Sequence, residues 1–325
     1  MQKKKNNKIL VILGPTASGK TALAVKLAHK YNGEIVSADS RQVYKGMDIG
    51  TGKDLGEYKI KLKVKSQKSK VVKIPYHMID LVQPNTKYSL AKYQKQAFIA
   101  IDDILQRGKL PIIAGGTGLY LQAVVDNYNL SGAKPDKKLR EKLEKMTVDK
   151  LYSEIKKINK KFAEKLNDSE QKNKRRLIRY IEIFQQGAKK ETNLFKGSLA
   201  SEDYEYLLIG LTWPRKKLCD LIYKRLVNRI EQENMIEEVK RLHKEGVSWK
   251  RLESFGLEYR FISKYLRGDL EYDEMIQKLN IAIRQFAKRQ MTWFRRWEKQ
   301  GKKIYWERDE KKLKKLVEEF LGLLV

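Results

Sequence analysis

The feature that most constrains the fold is a glycine-rich loop near the start of the chain. Residues 8–13 are apolar enough for a short buried strand, and they lead directly into Gly-Pro-Thr-Ala-Ser-Gly-Lys-Thr at 14–21. This segment matches the pattern G-x-x-x-x-G-K-[ST], in which the glycines let successive backbone N–H groups point into one concavity. Because a helical pattern follows at 21–30, the sequence predicts a strand, a phosphate-binding loop and a helix in that order.

Every residue of this loop has an expected part in binding a diphosphate or triphosphate. Lys20 adds a positive charge, and the Thr21 hydroxyl at the start of the helix is a candidate Mg²⁺ ligand. The residues expected to hold the phosphates are Gly14, Pro15, Thr16, Ala17, Ser18, Gly19, Lys20 and Thr21. The strand before the loop and the helix after it disfavour a chance glycine turn, but the pattern does not say whether the phosphate is hydrolysed.

Alternating strand and helix patterns follow the loop. Further strand patterns lie at 34–38, 111–114 and 204–211, and apolar residues recur at helical spacing over 90–107 and near 119–125. Strands that alternate with helices are typical of a parallel sheet with crossover helices. We therefore expect an α/β fold, a P-loop NTPase-like parallel sheet flanked by helices.

One long segment interrupts this alternation. Residues 131–199 carry few strand signals and many charged, helix-compatible residues, which predicts a helical insertion domain. The core then has two parts, residues 1–130 and residues 200–325. Long helices are expected in the second part, over about 215–245 and 272–299.

The charge of the chain indicates a polyanionic partner. The 325 residues include 70 Lys and Arg against 40 Asp and Glu, a formal net charge of +30, and such a field favours nucleic acid. The content of 41% hydrophobic and 10% aromatic residues excludes a disordered chain, and no apolar run is long enough to span a membrane. Cys219 is the single cysteine and cannot form an internal disulfide, so we expect a cytoplasmic protein. We also expect it to be a monomer that does not bind membranes.

Asp39 is the main candidate for chemistry outside the phosphate loop. It follows the predicted strand at 34–38, and the carboxyl ends of parallel strands line the ligand crevice of such a sheet. A carboxylate there can bind Mg²⁺, take a proton from a nucleophile, or merely cap a helix. Residues 115–118, Gly-Gly-Thr-Gly, form a second glycine cluster at a strand end, where the backbone can approach a ligand closely.

Two basic segments are candidates for binding RNA. Arg175, Arg176 and Arg179 cover one side of a predicted helix, and residues 284–297 interleave cations with aromatic residues. Cations bind RNA phosphates, and aromatic side chains stack on unpaired bases. The net charge supports this interpretation for the cations of both segments.

Three further features have competing interpretations. For Trp293 and Trp297, which are four residues apart, core packing is favoured over base stacking. Arg225 and Arg229 form a cationic helix face that is a candidate clamp for a diphosphate. Residues 59–73 contain seven lysines and no acid, and a solvated edge hairpin is favoured there over an RNA contact.

Taken together, five motifs resemble the tRNA dimethylallyltransferase (tRNA isopentenyltransferase) family. They are GPTASGKT at 14–21, SADSRQVYKGMDIGTGK at 37–53, GGTGLY at 115–120, RRLIR at 175–179 and AKRQMTWFRRW at 287–297. They spread over nearly the whole chain in the order that the family has. The block at 37–53 together with GGTGLY is far more specific than the phosphate loop, which many kinases share.

The resemblance implies transfer of a dimethylallyl group from dimethylallyl diphosphate to N6 of the adenosine 3′-adjacent to the anticodon of tRNA. Asp39 would be the general base, the loop would hold the diphosphate, and the insertion would grip the anticodon stem-loop. With the loop residues included, the candidate catalytic set is Asp39, Lys20, Thr21 and Thr117, with Mg²⁺ as cofactor. The candidate tRNA contacts are Asp39, Ser40, Arg41, Gln42, Thr117, Arg140, Arg175, Arg176, Arg179, Lys288 and Arg289.

Two alternatives belong to other functional classes. A small-molecule or nucleotide kinase built on the same loop would need ATP and would phosphorylate a small acceptor. A non-catalytic RNA-binding protein that retains the loop would lose no function when Asp39 is replaced by alanine.

Overall fold

A computed structural model describes residues 7–62, 70–128, 130, 136–186 and 204–324. The chain divides into two compact units. The core unit comprises Met1–Val125 and Ser201–Val325, and the insertion unit comprises Asp126–Ala200.

A parallel sheet organises the core unit, which confirms the predicted fold class. The strands are β1 (Lys8–Leu13), β2 (Gly33–Ser37), β3 (Lys59–Leu62), β4 (Lys70–Lys73), β5 (Tyr76–His77), β6 (Leu110–Gly115), β7 (Glu205–Gly210) and β8 (Tyr305–Trp306). The six-stranded sheet has the order β5-β2-β6-β1-β7-β8, and every pairing in it is parallel. Strands β3 and β4 form a separate antiparallel pair, so the two described parts of the lysine-rich segment, 59–62 and 70–73, pair with each other outside the main sheet, and the rest of that segment lies outside the described residues.

Helices cover the sheet and build the insertion. In chain order they are α1 (Lys20–Lys30), α2 (Leu90–Gln106), α3 (Gly118–Val125), α4 (Lys137–Glu144), α5 (Val148–Ile158), α6 (Lys160–Lys165), α7 (Asp168–Gln171), α8 (Lys174–Gln185), α9 (Arg215–Glu231), α10 (Met235–Lys244), α11 (Trp249–Ser254), α12 (Leu257–Leu266), α13 (Tyr272–Lys299) and α14 (Glu310–Leu321), with a 3₁₀ turn at Leu55–Tyr58. Helices α4 to α8 lie in the insertion unit. No helix within the described ranges combines the length and the apolar character that a bilayer crossing needs.

The central strand shows why the sheet has helices on both faces. Side chains alternate between the two faces of a strand. Ile9 and Val11 pack in a cluster with Tyr93 of α2, whereas Leu10 packs in a second cluster with Val25 of α1. Because both faces of β1 are apolar and buried, the strand reads as a continuous hydrophobic run, as parallel strands do.

The helices after β7 depart from the expectation at one point. The helix expected over 272–299 is confirmed as α13, but a single helix over 215–245 is wrong. The chain breaks there into α9 and α10 because Asn234 adopts the left-handed conformation, with φ of 61°. Asparagine tolerates that conformation better than most residues, so the break is local.

The insertion unit has its own apolar core. Leu151 and Ile155 of α5 pack with Phe162 of α6 and with Leu177 and Ile181 of α8. The helical character expected for this segment is therefore present in its described residues, 136–186.

Candidate active site

The phosphate loop lies between β1 and α1, and two of its glycines adopt positive φ angles. Gly14 has φ of +148°, and a Cβ there would lie 2.1 Å from the carbonyl oxygen of Leu211. Gly19 has φ of +91° and caps the N-terminus of α1, so the first N–H groups of the helix face the concavity of the loop. A helix start of this kind favours an anion.

Two side chains of the loop suit an anionic ligand. The Lys20 ammonium donates to the Pro15 carbonyl oxygen at 2.6 Å, and burial together with the neighbouring charge of Arg225 lowers the pKa of Lys20 to about 7. The Ser18 hydroxyl is buried and has no hydrogen-bond partner among the described residues. Lys20 and Ser18 thus both lack a carboxylate or other anion that would satisfy them within this part of the chain.

A cavity of about 440 Å³ opens at the carboxyl ends of the strands, beside this loop. Many of the residues singled out in the sequence line it, and these are Thr16, Lys20, Thr21, Asp39, Ser40, Arg41, Gln42, Thr117, Arg225, Arg229 and Arg289. The volume is in the range of small-molecule sites. One cavity of the core unit therefore brings together the candidate diphosphate residues and the candidate general base.

Asp39 and Thr117 come from adjacent strand ends. An Asp39 carboxylate oxygen accepts the Arg41 N–H at 2.9 Å, and the Thr117 hydroxyl accepts the Ser40 N–H at 3.2 Å. Burial raises the pKa of Asp39 above its ordinary value. A carboxylate in this state is a stronger base than one in water, which suits proton removal.

Gln42 has partners within the protein. Its amide accepts from the Ser37 hydroxyl at 2.7 Å and donates to the Gly52 carbonyl at 3.0 Å. The side chain therefore ties the end of β2 to the loop that follows, while still lining the cavity. The expected tRNA contact of Gln42 stays a prediction.

The candidate diphosphate clamp is held by a carboxylate that the sequence did not indicate. Asp54 accepts from the Arg225 guanidinium at 2.6 Å and from that of Arg229 at 2.9 and 3.0 Å. Both arginines line the cavity. The paired arrangement of Arg225 and Arg229 that the helical spacing suggested is thus present on α9, and Asp54 orients it.

The loop between Asp48 and Gly52 is fixed by a buried acid on α10. The Glu238 carboxylate accepts backbone N–H groups from Asp48, Ile49 and Gly50 at 2.7, 2.8 and 3.0 Å, and also accepts from the Tyr259 hydroxyl at 2.7 Å. These hydrogen bonds preorganise one wall of the cavity without placing Glu238 in it.

Helix α13 forms the opposite wall. Its buried Gln290 accepts the Thr16 N–H at 2.8 Å and donates to the Gly116 carbonyl at 2.8 Å. Ile283, Phe286 and Trp293 line the cavity on the same side. Trp293 is half-buried and Trp297 is in the core, so the packing interpretation is confirmed fully for Trp297 and only partly for Trp293.

Some site residues were missed, and one of them had a signal in the sequence. Asp54 and Glu238 are ordinary acids whose partners come from distant segments. Gln290 differs, because the buried stripe of α13 runs through Ile283, Ala287, Gln290, Phe294 and Trp297 at helical spacing. A glutamine within an apolar stripe is a buried polar group that needs partners, and this identifies a residue with a specific role.

Glu258 is a second acid at the cavity that the sequence did not single out for chemistry. It lies in the first turn of α12, lines the cavity, and burial raises its pKa. It occurs in the segment Gly256-Leu257-Glu258-Tyr259.

The candidate tRNA residues outside the cavity fall into different environments. In the insertion unit, Arg140 and Arg179 bind the buried Glu182, and Arg176 pairs with Glu170 at 3.3 Å. Arg175 is exposed and has no carboxylate partner among the residues of 136–186. Lys288 is exposed on α13 in the core unit, next to the exposed Arg289 that lines the cavity. The tRNA contacts of these residues stay predictions.

No cluster of three or more histidine, cysteine or carboxylate side chains within the described ranges has the arrangement of a metal site. The Thr21 hydroxyl and the Asp39 carboxylate are oxygen donors that line the cavity.

Comparison with known protein families identifies the family of the chain. The family model described as IPP transferase matches residues 42–297. The chain belongs to this family. A second model, described as isopentenyl transferase, matches residues 7–63, which contain the phosphate loop.

Individual members of the IPP transferase family resemble the chain over most of its length. tRNA dimethylallyltransferase 2 of Citrifermentans bemidjiense is 44% identical over 301 residues, 92% of this chain and 90% of that protein. The crystal structure of the full-length tRNA isopentenylpyrophosphate transferase of Bacillus halodurans has a TM-score of 0.63 at 33% identity and covers 98% of this chain and 96% of that one. A eukaryotic dimethylallyltransferase acting on tRNA has a TM-score of 0.70 at 26% identity, covering 89% and 70%.

Proposed function

We propose that the protein transfers a dimethylallyl group from dimethylallyl diphosphate to N6 of the adenosine 3′-adjacent to the anticodon of tRNA. The observation that carries the proposal is the shared cavity, in which the phosphate loop and the arginine pair lie beside Asp39 and Thr117. Membership of a family whose relatives bear the name tRNA dimethylallyltransferase supports the choice of reaction.

The diphosphate end of the cavity suits a leaving group that gains charge. When the C–O bond of the donor breaks, its electron pair goes to the departing diphosphate. Loop N–H groups, Lys20 and the arginine pair Arg225 and Arg229 are preorganised to receive that charge.

Mg²⁺ fits the donor set at this end. Thr21 is a hydroxyl ligand in the first turn of α1, and Mg²⁺ in phosphate sites is usually held by one or two protein oxygens with phosphate oxygens and water. When bound, Mg²⁺ neutralises charge on the diphosphate. We propose Thr21 as its protein ligand.

The acceptor end of the cavity suits activation of a weak nucleophile. The N6 amine attacks the allylic carbon, an N–C bond forms, and the N6 proton passes to Asp39, whose raised pKa makes it an effective base. Thr117 lies beside Ser40 at the neighbouring strand end and is placed to orient the amine. An unpaired loop nucleotide enters such a pocket at lower cost than a base in a duplex.

The decisive test is transfer of labelled dimethylallyl diphosphate into unmodified tRNA by the purified protein. We expect label in tRNA, and none when the adenosine after the anticodon is replaced by guanosine. Asp39→Asn should lower the transfer rate by about 10²-fold to 10⁴-fold while tRNA binding is retained. Turnover of ATP with a small acceptor, and no label in tRNA, would instead identify a kinase.

A further inference from the structure

Gln290 joins the two sides of the cavity. Its side-chain oxygen accepts the Thr16 N–H of the phosphate loop, and its side-chain nitrogen donates to the Gly116 carbonyl of the glycine cluster, both at 2.8 Å. The residue is 7% exposed. Because the amide is a donor and an acceptor at once, this one uncharged side chain makes both hydrogen bonds.

The two loops that Gln290 connects have different parts in the reaction. Thr16 lies in the loop that holds the diphosphate of the donor. Gly116 precedes Thr117, which lies with Ser40 and Asp39 at the acceptor end. The contact is close, since a Cβ on Gly116 would lie 2.4 Å from the Gln290 side-chain nitrogen.

We propose that Gln290 is a positioning residue that sets the separation of the donor loop from the acceptor loop. The proposal rests on the proposed function and adds to it a residue that lines the cavity and binds a backbone group of each loop. The amide is held by Thr16 and Gly116, so replacing it changes the position of both loops. A transfer between two bound substrates is sensitive to such a separation, because a misplacement of about 1 Å costs up to about 10²-fold in rate.

The rival explanation is that Gln290 only anchors α13. The helix has other anchors, since Ala287, Phe294 and Trp297 are buried in the apolar clusters on either side. Loss of one amide contact therefore leaves the helix packed, and the two explanations differ in which measured quantity changes.

The Gln290→Glu substitution keeps one of the two hydrogen bonds and makes the other depend on pH. The introduced carboxyl keeps an oxygen for the Thr16 N–H but, when ionised, sets a second oxygen against the Gly116 carbonyl. When protonated, it donates to that carbonyl as the amide does. Gln277→Glu on the exposed face of α13 is the matched control, because it makes the same charge change outside the cavity and outside the basic segment at 284–297.

The experiment measures four quantities for each variant: the single-turnover rate of dimethylallyl transfer with both substrates saturating, the Kd of pyrophosphate, the Kd of tRNA, and the Tm. For Gln290→Glu we expect the rate at pH 8 to fall about 10²-fold and both Kd values to stay within about threefold. The defect relative to wild type should shrink as pH falls and the introduced carboxyl is protonated. Gln277→Glu should be unchanged in rate.

Gly116→Ala provides a second route to the same contact if Gln290→Glu folds poorly. The added methyl displaces the side-chain nitrogen of Gln290 and leaves α13 intact. Its rate defect should not add to that of Gln290→Glu in the double variant. A normal saturating rate in either folded variant, a defect confined to one Kd, or full additivity would overturn the positioning role. Absence of transfer by the wild type would instead overturn the proposed function.

Discussion

Two carboxylates in the molecule each hold a pair of arginines, and the two clusters leave different groups available. In the core unit Asp54 contacts Arg225 and Arg229 through only one terminal nitrogen of each. In the insertion unit Glu182 binds Arg140 at 2.6 and 2.7 Å through two nitrogens and contacts Arg179 at 3.2 Å.

The difference follows from burial. The Glu182 side chain is fully buried and also accepts the Asp136 N–H. Its hydrogen-bonding capacity is therefore used up by contacts that join α4 to α8. Asp54 is 23% exposed, and within the described residues the other guanidinium N–H groups of Arg225 and Arg229 have no partner. A carboxylate with two arginines thus forms a structural clamp in the insertion unit. In the core unit a similar cluster lines the cavity.

The largest effect that sharpens this contrast is expected at Lys20, a cavity-lining cation that has no ion pair with a carboxylate among the described residues. Since burial lowers its pKa to about 7, the free protein must take up a proton at Lys20 to bind an anion at higher pH. The affinity for pyrophosphate should therefore fall up to about tenfold per pH unit above 7, in excess of any trend from the ligand itself.

Isothermal titration calorimetry across pH 6.5 to 9 measures this dependence. Lys20→Met should bind more weakly at pH 7 and should lack the excess slope. Equal slopes for the two proteins would show that Lys20 is not the titrating group.

A smaller effect is expected for the insertion clamp. Glu182→Ala leaves Arg140 and Arg179 without their buried partner, and because both arginines are partly exposed we expect a loss of about 2 kcal/mol in the stability of the insertion. Glu154→Ala, which removes an exposed pair with Lys157, should cost less than about 0.5 kcal/mol.

Urea unfolding of the full chain, followed by a probe in the insertion, tests this pair of variants. Burial opposes the charged form of Glu182, but hydrogen bonds from Arg140 and Arg179 outweigh it and hold the pKa below its ordinary value. Its contribution is then present at neutral pH and is lost on acidification, so wild type and Glu182→Ala should converge in acid. A gap that persists in acid would contradict the ion-pair explanation.

The smallest effect is expected at Arg175. It is the exposed arginine of α8 without a carboxylate partner in the described residues, so its guanidinium is available to a phosphate. Arg175→Gln should weaken tRNA binding about threefold and lower the slope of log affinity against log salt by about 1. Arg179→Gln, which alters a clamp residue, should change the slope less. A larger change in slope for Arg179→Gln than for Arg175→Gln would contradict the distinction between an arginine held by Glu182 and one that is free to bind phosphate.

Local motifs predicted the parts of the site that are close in sequence. The strand, loop and helix at 8–30, the position of Asp39 after β2, and the parallel order of the sheet each follow from short patterns. The family and the fold class were predicted correctly for this reason.

Contacts between distant segments were not predictable in the same way. Asp54 is 171 residues from Arg225, and no periodic pattern relates them. The break between α9 and α10 depends on one left-handed asparagine inside an otherwise helical pattern. Gln290 lies between these two cases. Its place in an apolar stripe is a sequence signal that it needs polar partners, but that signal does not say which residues they are.

The hydrogen bond between Thr16 and Gln290 joins residues 274 positions apart, and this has a consequence for the newly made chain. At a synthesis rate of roughly 5–20 residues per second, the phosphate loop leaves the ribosome roughly 14 to 55 s before the helix that completes the cavity. The central strand β1 likewise cannot pair with β7, its neighbour in the sheet, until the insertion and β7 have been synthesised. Long-range pairing of this kind slows folding, and the cavity cannot be complete before the segment that contains Gln290 has been made.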